Sequence, residues 1–217
     1  MIKQNGDPAL SIGMVMYPEM DPLDLVGPYE VLARLPKARI VFIAQEWAPV
    51  RTALGLTMNP NTTFGKALPS DILFVPGGPG HRQMNHNDTF LSFLQTQAEG
   101  AKLVTSVCTG SMLLGAAGLL RGYRATTHWL CLDELSSYGA IPTPQRVVID
   151  RDRITAAGVS AGIDMALTMA AELCGTDIAD ELQLLIEYDP KPPFDSGSPS
   201  TAPKHIVEKM RAQYQNA

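Results

Sequence analysis

Cysteine is scarce in this 217-residue chain, which holds only Cys108, Cys131 and Cys174. An odd count without Cys-x-x-Cys spacing is a poor disulfide framework and a poor zinc site. The four histidines, His81, His86, His128 and His205, show no i, i+4 pairing, so no metal is expected. Excess positive charge is also missing: the net charge is −5, which gives no electrostatic footprint for nucleic acid or an anionic membrane surface. No apolar run reaches the roughly 18 residues needed to cross a bilayer. The opening segment, MIKQNGDPAL, lacks the apolar core of a secretory leader. The expectation is a cytoplasmic protein with reduced thiols, binding neither nucleic acid nor membrane.

What is present is an ordinary globular composition, 45% apolar and 18% charged, long enough for one domain with a real core. One domain over 1–217 is expected, with an irregular Pro/Ser-rich arm at 187–203. Short apolar runs alternate with helical segments. LSIGMVMY (10–17), ARIVFIA (38–44), DILFVPGG (71–78) and KLVTSV (102–107) read as buried strands. Helices are expected over about 26–34, 88–100, 109–120 and 160–174, with another before Pro190 and a last one in KHIVEKMRAQYQ. RATTH (124–128) is short and extended, and RVVID with RITAA (146–150, 153–157) reads as a hairpin. Continuous rather than alternating apolar strands, separated by helices, imply a mostly parallel sheet covered on both faces. The fold class is α/β, a three-layer α/β/α sandwich.

In such sheets ligands sit beyond the carboxyl ends of the strands. PLDLVGP, PGGPG and VCTG fall at three such ends. Cys108 stands between the strand KLVTSV and an apolar helix rich in small residues. A helix N-terminus lowers a thiol's pKa and favours the nucleophilic thiolate. Thr109 can donate its hydroxyl to the sulfur, and Gly110, Gly115, Ala116 and Ala117 let the helix pack closely on the sheet. The plain alternative is a small core residue. Cys131 and Cys174 read as packing residues.

A proton carrier is still required. Asp21 and Asp24 compete in PEMDPLDLVGP, and Asp24 stands between Leu23 and Leu25. A carboxyl in apolar company has a raised pKa and calls for a reason. N-capping is its plain role and proton transfer beside the sulfur its sharp one. The glycine N–H groups of PGGPG can stabilise a developing negative charge. A rival nucleophile is Ser160 in GVSAG, which fits G-x-S-x-G, but Asp195 and His205 are poorly placed to complete its triad.

Taken together, YPEMDPLDLVGPYEVLA, VPGGPG, TSVCTGSMLLGAAGLLRGYRATTHW, GVSAGIDMALTMAAEL and PPFDSGSP resemble the DJ-1/PfpI superfamily, and within it the branch that hydrates isocyanides. The resemblance implies a flavodoxin-like fold, a homodimer and a strained nucleophile elbow. It implies Cys108 as nucleophile, Asp24 as acid/base, and Thr109 and Gly78 as parts of the site, with His128 either reaching the site or structural. It implies no cofactor, and as small-molecule partner an organic isocyanide, hydrated to the N-substituted formamide through a covalent thioimidate. Superfamily proteases place glutamate at the Asp24 position, and several put histidine after the cysteine; Asp24 and Thr109 depart from both. The competing expectation is a non-catalytic redox or ligand sensor, as in related transcription regulators. Those carry a C-terminal DNA-binding module that is not read here.

Overall fold

The computed structural model describes residues 10–215. The chain divides into two compact units, one up to Ile186 and one from Glu187 onward. In the first unit, β1 (Leu10–Met16) leads to α1 (Pro22–Leu32) and β2 (Ala38–Ala44). The short strands β3 (Val50–Arg51), β4 (Thr57–Met58) and β5 (Thr62–Thr63) follow, then β6 (Ile72–Val75), α2 (His81–Met84) and α3 (Asp88–Gly100). Next come β7 (Leu103–Val107), α4 (Gly110–Ala116), β8 (Arg124–Ala125), a 3-10 helix (Trp129–Tyr138) and β9 (Ile141–Pro142). The unit closes with β10 (Val147–Asp150), β11 (Arg153–Ala156), α5 (Ala161–Cys174) and α6 (Thr176–Leu185).

The seven-stranded sheet runs β10-β11-β7-β6-β1-β2-β5 and is parallel except for β10, which pairs antiparallel with β11. Strands buried on both faces explain the continuous apolar runs. Ile72, Leu73, Phe74 and Val75 of β6 are all fully buried. Each such side chain stabilises the fold by about 1.5–3 kcal/mol relative to exposure. α5 packs against both α1 and α6, and α2, α3 and the 3-10 helix group around α4, giving the three-layer, flavodoxin-like sandwich. The order of the long strands reverses between β1 and β6, which opens a crevice at their carboxyl ends.

Several boundaries differ from those expected. α1 begins at Pro22, four residues earlier than read, because Asp21 caps it by accepting from the Leu23 N–H (3.0 Å) and Pro22 supplies a preset first turn. α4 stops at Ala116, and the chain then turns through Gly118 and Gly122, both at positive φ. The segment after RATTH coils as the 3-10 helix, with His128 as its cap. Gly110 does admit close packing on the sheet, since a Cβ there would lie 2.2 Å from the Val75 carbonyl oxygen. Gly115 faces Tyr138 of the 3-10 helix instead. The 88–100 and 160–174 helices and the 146–157 hairpin fall within a residue of their expected places.

In the second unit, 187–203 has no helix or strand and is braced locally, with Lys191 pairing Asp189 at 2.6 Å and the Ser198 and Ser200 hydroxyls 2.7 Å apart. α7 (Lys204–Gln215) follows, as the terminal segment suggested.

Candidate active site

Cys108 ends β7 and precedes α4 with φ at +55°, a left-handed backbone that costs a non-glycine residue about 1–2 kcal/mol. The surrounding structure pins it. Its N–H is shared between the Ala156 and Ala157 carbonyls (3.1 and 2.9 Å), at the end of β11. Its carbonyl accepts from the Thr127 hydroxyl at 2.8 Å. Behind it, Ser106, Ser111, the Thr126 backbone and Thr155 form a buried hydroxyl chain, with Ser111 donating to the Thr126 carbonyl at 2.6 Å. Thr127 is a site residue that reading the chain missed; the signal that could have found it is the threonine pair at the end of the extended run RATTH.

Asp24 sits in the first turn of α1 with no exposed surface. The Gly77 N–H donates to its Oδ2 at 2.8 Å, and Oδ1 has no hydrogen-bond partner. Burial pushes its pKa up to about 8, the Asp21 charge adds to the rise, and the Gly77 N–H and the Cys108 thiol partly offset it. Asp21, not Asp24, is the helix cap, which leaves the buried carboxyl free of that plain role.

The expected lowering of the thiol is overturned. Cys108 is 6% exposed, and burial pushes its pKa well above the ordinary value. The charge of Asp24 raises it further, and the Thr109 backbone N–H only partly compensates. A helix of seven residues cannot outweigh desolvation beside a second acid. Two acids this close and this dry hold their protons jointly: loss of one proton from the pair can leave a thiolate beside a neutral carboxyl.

Thr109 uses its hydroxyl elsewhere than expected. It accepts from the Gly78 N–H (2.9 Å) and donates to the Gly78 carbonyl (3.1 Å), so its backbone N–H is what faces the sulfur. The PGGPG turn is likewise a brace, since Gly77, Gly78 and Gly80 give their N–H groups to Asp24, Thr109 and Glu19. Gly78 has φ +126°, and a Cβ there would meet the Asp21 nitrogen at 2.3 Å. His128 is half-buried; its Nδ1 accepts from the Leu130 N–H (3.4 Å) at the start of the 3-10 helix, and Asp21 lies within its electrostatic reach. Its pKa is lowered by burial.

Ser160 is exposed, at an ordinary φ of −70°, and takes an Arg146 N–H at 3.3 Å. That is no elbow, so the strained turn belongs to Cys108. Cys131 is fully buried and Cys174 half-buried at the end of α5. No group of three or more metal-ligating side chains is found among the described residues. No helix among them is long and apolar enough to cross a membrane.

Tyr17, just after β1, carries no sequence flag but is buried beside this pair, and its hydroxyl donates to the Pro76 carbonyl at 2.9 Å. Its ring stands edge-on to Phe90 with centroids 5.5 Å apart. Both rings border a cavity of about 270 Å³ shared with Met16, Ala44, Val50 and Met84.

A flavodoxin-like sheet whose rim brings a strained cysteine beside a buried carboxyl defines a class of small α/β proteins built around one reactive thiol. The chain belongs to the DJ-1/PfpI family, whose profile matches residues 11–172. It is 49% identical over 203 residues to the isonitrile hydratase of Pseudomonas putida, covering 94% of this chain and 89% of that protein. A THiJ/PfpI family protein from Pseudomonas syringae superposes with a TM-score of 0.94 at 45% identity, over 98% of this chain and 88% of the other. The HTH-type transcriptional regulator GbdR of Pseudomonas aeruginosa is 32% identical over 137 residues, 62% of this chain but 37% of the regulator.

Proposed function

We propose that the protein is an isocyanide hydratase, converting R–N≡C to the N-substituted formamide with Cys108 as nucleophile and Asp24 as proton carrier. The observation that carries the reading is the dry Cys108–Asp24 pair; the hydratase relative, nearly full-length, supports the substrate class. A hydration needs a nucleophile and a group able to give and take protons near neutral pH, and a carboxyl held near 8 has that capacity.

The singly protonated pair reacts once the thiol proton has passed to the Asp24 carboxylate, giving thiolate beside carboxylic acid. Sulfur attacks the terminal isocyanide carbon, and Asp24 protonates that carbon to give the thioimidate R–N=CH–S-Cys108. The Asp24 carboxylate takes a proton from water as the oxygen adds to carbon, then delivers it to nitrogen. The adduct R–NH–CH(OH)–S-Cys108 collapses as its hydroxyl proton goes to Asp24. This releases R–NH–CHO and restores the thiolate and the acid. Atoms, charge and protons close without a cofactor.

Thr109 and Gly78 hold the acid and nucleophile loops together, and His128 borders the substrate side. The sensor reading asks for a thiol open to oxidant in solvent, and Cys108 is buried. The protein acts in the cytoplasm as a homodimer, with Leu23 and Val26, exposed on either side of Asp24 in the chain, as apolar surface for the second copy. Incubation with cyclohexyl isocyanide should yield the formamide, and Cys108→Ala should abolish it. Absence of formamide with intact protein, or normal turnover by the variant, ends the proposal.

A further inference from the structure

The Pro76–Gly77 peptide is held from both ends. Its carbonyl, on Pro76, accepts from the Tyr17 hydroxyl at 2.9 Å. Its N–H, on Gly77, donates to Asp24 Oδ2 at 2.8 Å. The two hydrogen bonds therefore belong to one planar, conjugated amide. Donation into the carbonyl draws electron density from nitrogen and makes the N–H a stronger donor, by about 10–30% per linked bond in a dry interior.

We infer that Tyr17 is a positioning residue of the active site: through the Pro76–Gly77 amide it sets the donor strength and orientation of the N–H that holds the Asp24 carboxyl. The catalytic meaning of this relay rests on Asp24 being the proton carrier of the hydratase reading. The relay itself does not.

The setting suits the role. Tyr17 is 2% exposed and Asp24 is fully buried, so water does not compete for either bond. The phenol stays neutral, since burial first, then the charges of Asp24, Cys108 and Asp21, push its pKa well above the ordinary value. It can therefore only donate to the carbonyl throughout the range in which Asp24 titrates. The titratable groups acting on Asp24 are Asp21 beside it on the same turn and Cys108 from the facing loop. Neither is bonded to the Tyr17 hydroxyl. Phe90 braces the ring edge-on, and the adjoining cavity leaves room for a small ring substituent.

The test reads the titration of Asp24 without substrate, by ¹³C NMR of carboxyl-labelled protein, the Asp24 signal being assigned by its loss in Asp24→Asn. Tyr17→Phe removes the donor and keeps the ring. It should raise the Asp24 midpoint by about 0.2–0.6 pH unit, the size expected from a 10–30% change in one bond to a charged acceptor. Site-specific 3-fluorotyrosine at position 17, a stronger donor of nearly the same shape, should lower it. In turnover of cyclohexyl isocyanide, Tyr17→Phe should lower kcat by about 3–10-fold with KM little changed, since the relay acts on proton transfer rather than binding. Opposite shifts in the two variants establish the relay. Unmoved midpoints, or shifts of the same sign, overturn it in favour of simple packing. If Tyr17→Phe does not fold, the fluorotyrosine shift decides alone, an unshifted midpoint rejecting the relay. A wild-type protein that makes no formamide defeats the hydratase reading while the titration still judges the relay.

Discussion

The Thr127 hydroxyl donates a 2.8 Å hydrogen bond to the carbonyl oxygen of Cys108, the residue whose φ of +55° marks the turn between β7 and α4. A strained residue persists only where its neighbours over-determine it, and this bond reaches the turn from 19 residues further along the chain. Thr127→Val keeps the shape but removes the short hydroxyl donor, leaving that buried carbonyl only the longer Ser111 N–H bond at 3.4 Å. The expected cost is about 0.5–1.5 kcal/mol in urea unfolding, the net worth of one hydrogen bond, with slower iodoacetamide labelling of Cys108 as the turn relaxes. Thr127→Ser should recover both. Equal labelling rates in wild type and Thr127→Val would show that the turn holds without this bond.

Asp24 links the site's chemistry to the pH dependence of stability. Its carboxyl titrates near 3.9 in an unfolded chain and near 8 in the fold, so the folded state binds the extra proton between those values. Stability from this group is complete below about pH 4 and is lost as pH rises towards 8, after which it is flat. Asp24→Asn removes the proton dependence. Its stability relative to wild type should improve from pH 4.5 to pH 8, by about 2–4 kcal/mol across that range. The lowered pKa values of His81 and His128 act in both proteins and cancel in the difference. Urea midpoints at pH 4.5, 6 and 8 measure it, and a constant gap between the two proteins would mean Asp24 is ionised throughout.

Much of this site is legible in the residues, for physical reasons that also mark where legibility stops. The buried strands announce themselves as continuous apolar runs, so their carboxyl ends, and hence the loops bearing Asp24, Gly78 and Cys108, can be located without coordinates. The three-layer α/β arrangement follows from strands alternating with helices, whereas the flavodoxin-like order is implied only by the family resemblance. Hydrogen-bond direction does not. PGGPG offers three glycine N–H groups, but only the fold reveals that Gly77 serves Asp24 while Gly78 serves Thr109. The thiol's pKa reverses sign because the helix-dipole contribution is visible in sequence while the desolvation of a pair of acids 84 residues apart is not. The start of α1 lies earlier than the 26–34 pattern suggests for a local reason, since a proline after a capping aspartate is a preset first helical position. Tyr17 and Thr127 were overlooked because a hydroxyl's partner is a matter of three-dimensional approach. Even so, a tyrosine closing a buried, mostly apolar strand needs a hydrogen-bond acceptor, and that need is a signal visible in LSIGMVMY.

Gly77 gives the sharpest steric test. Its backbone needs no positive φ, so an alanine there is not excluded by conformation. It is excluded by space. A Cβ at this position would lie 2.4 Å from the Thr109 nitrogen, 2.7 Å from the Thr109 hydroxyl oxygen and 2.8 Å from Asp24 Oδ2. The first of these is backbone, adjoining Cys108, and cannot rotate away. Relief must come from moving the loop after β6 off the start of α4, which lengthens the Gly77–Asp24 bond and pulls the Thr109 N–H from the sulfur. Misplacement of reacting groups by about 1 Å costs on the order of 100-fold in rate. Gly77→Ala should therefore lose about 100-fold in kcat/KM for cyclohexyl isocyanide while remaining folded. Gly65→Ala is the matched control, because a Cβ at Gly65 meets nothing within 4 Å, and it should retain full activity. Wild-type turnover by Gly77→Ala would mean that the acid and the nucleophile do not depend on this contact between their loops.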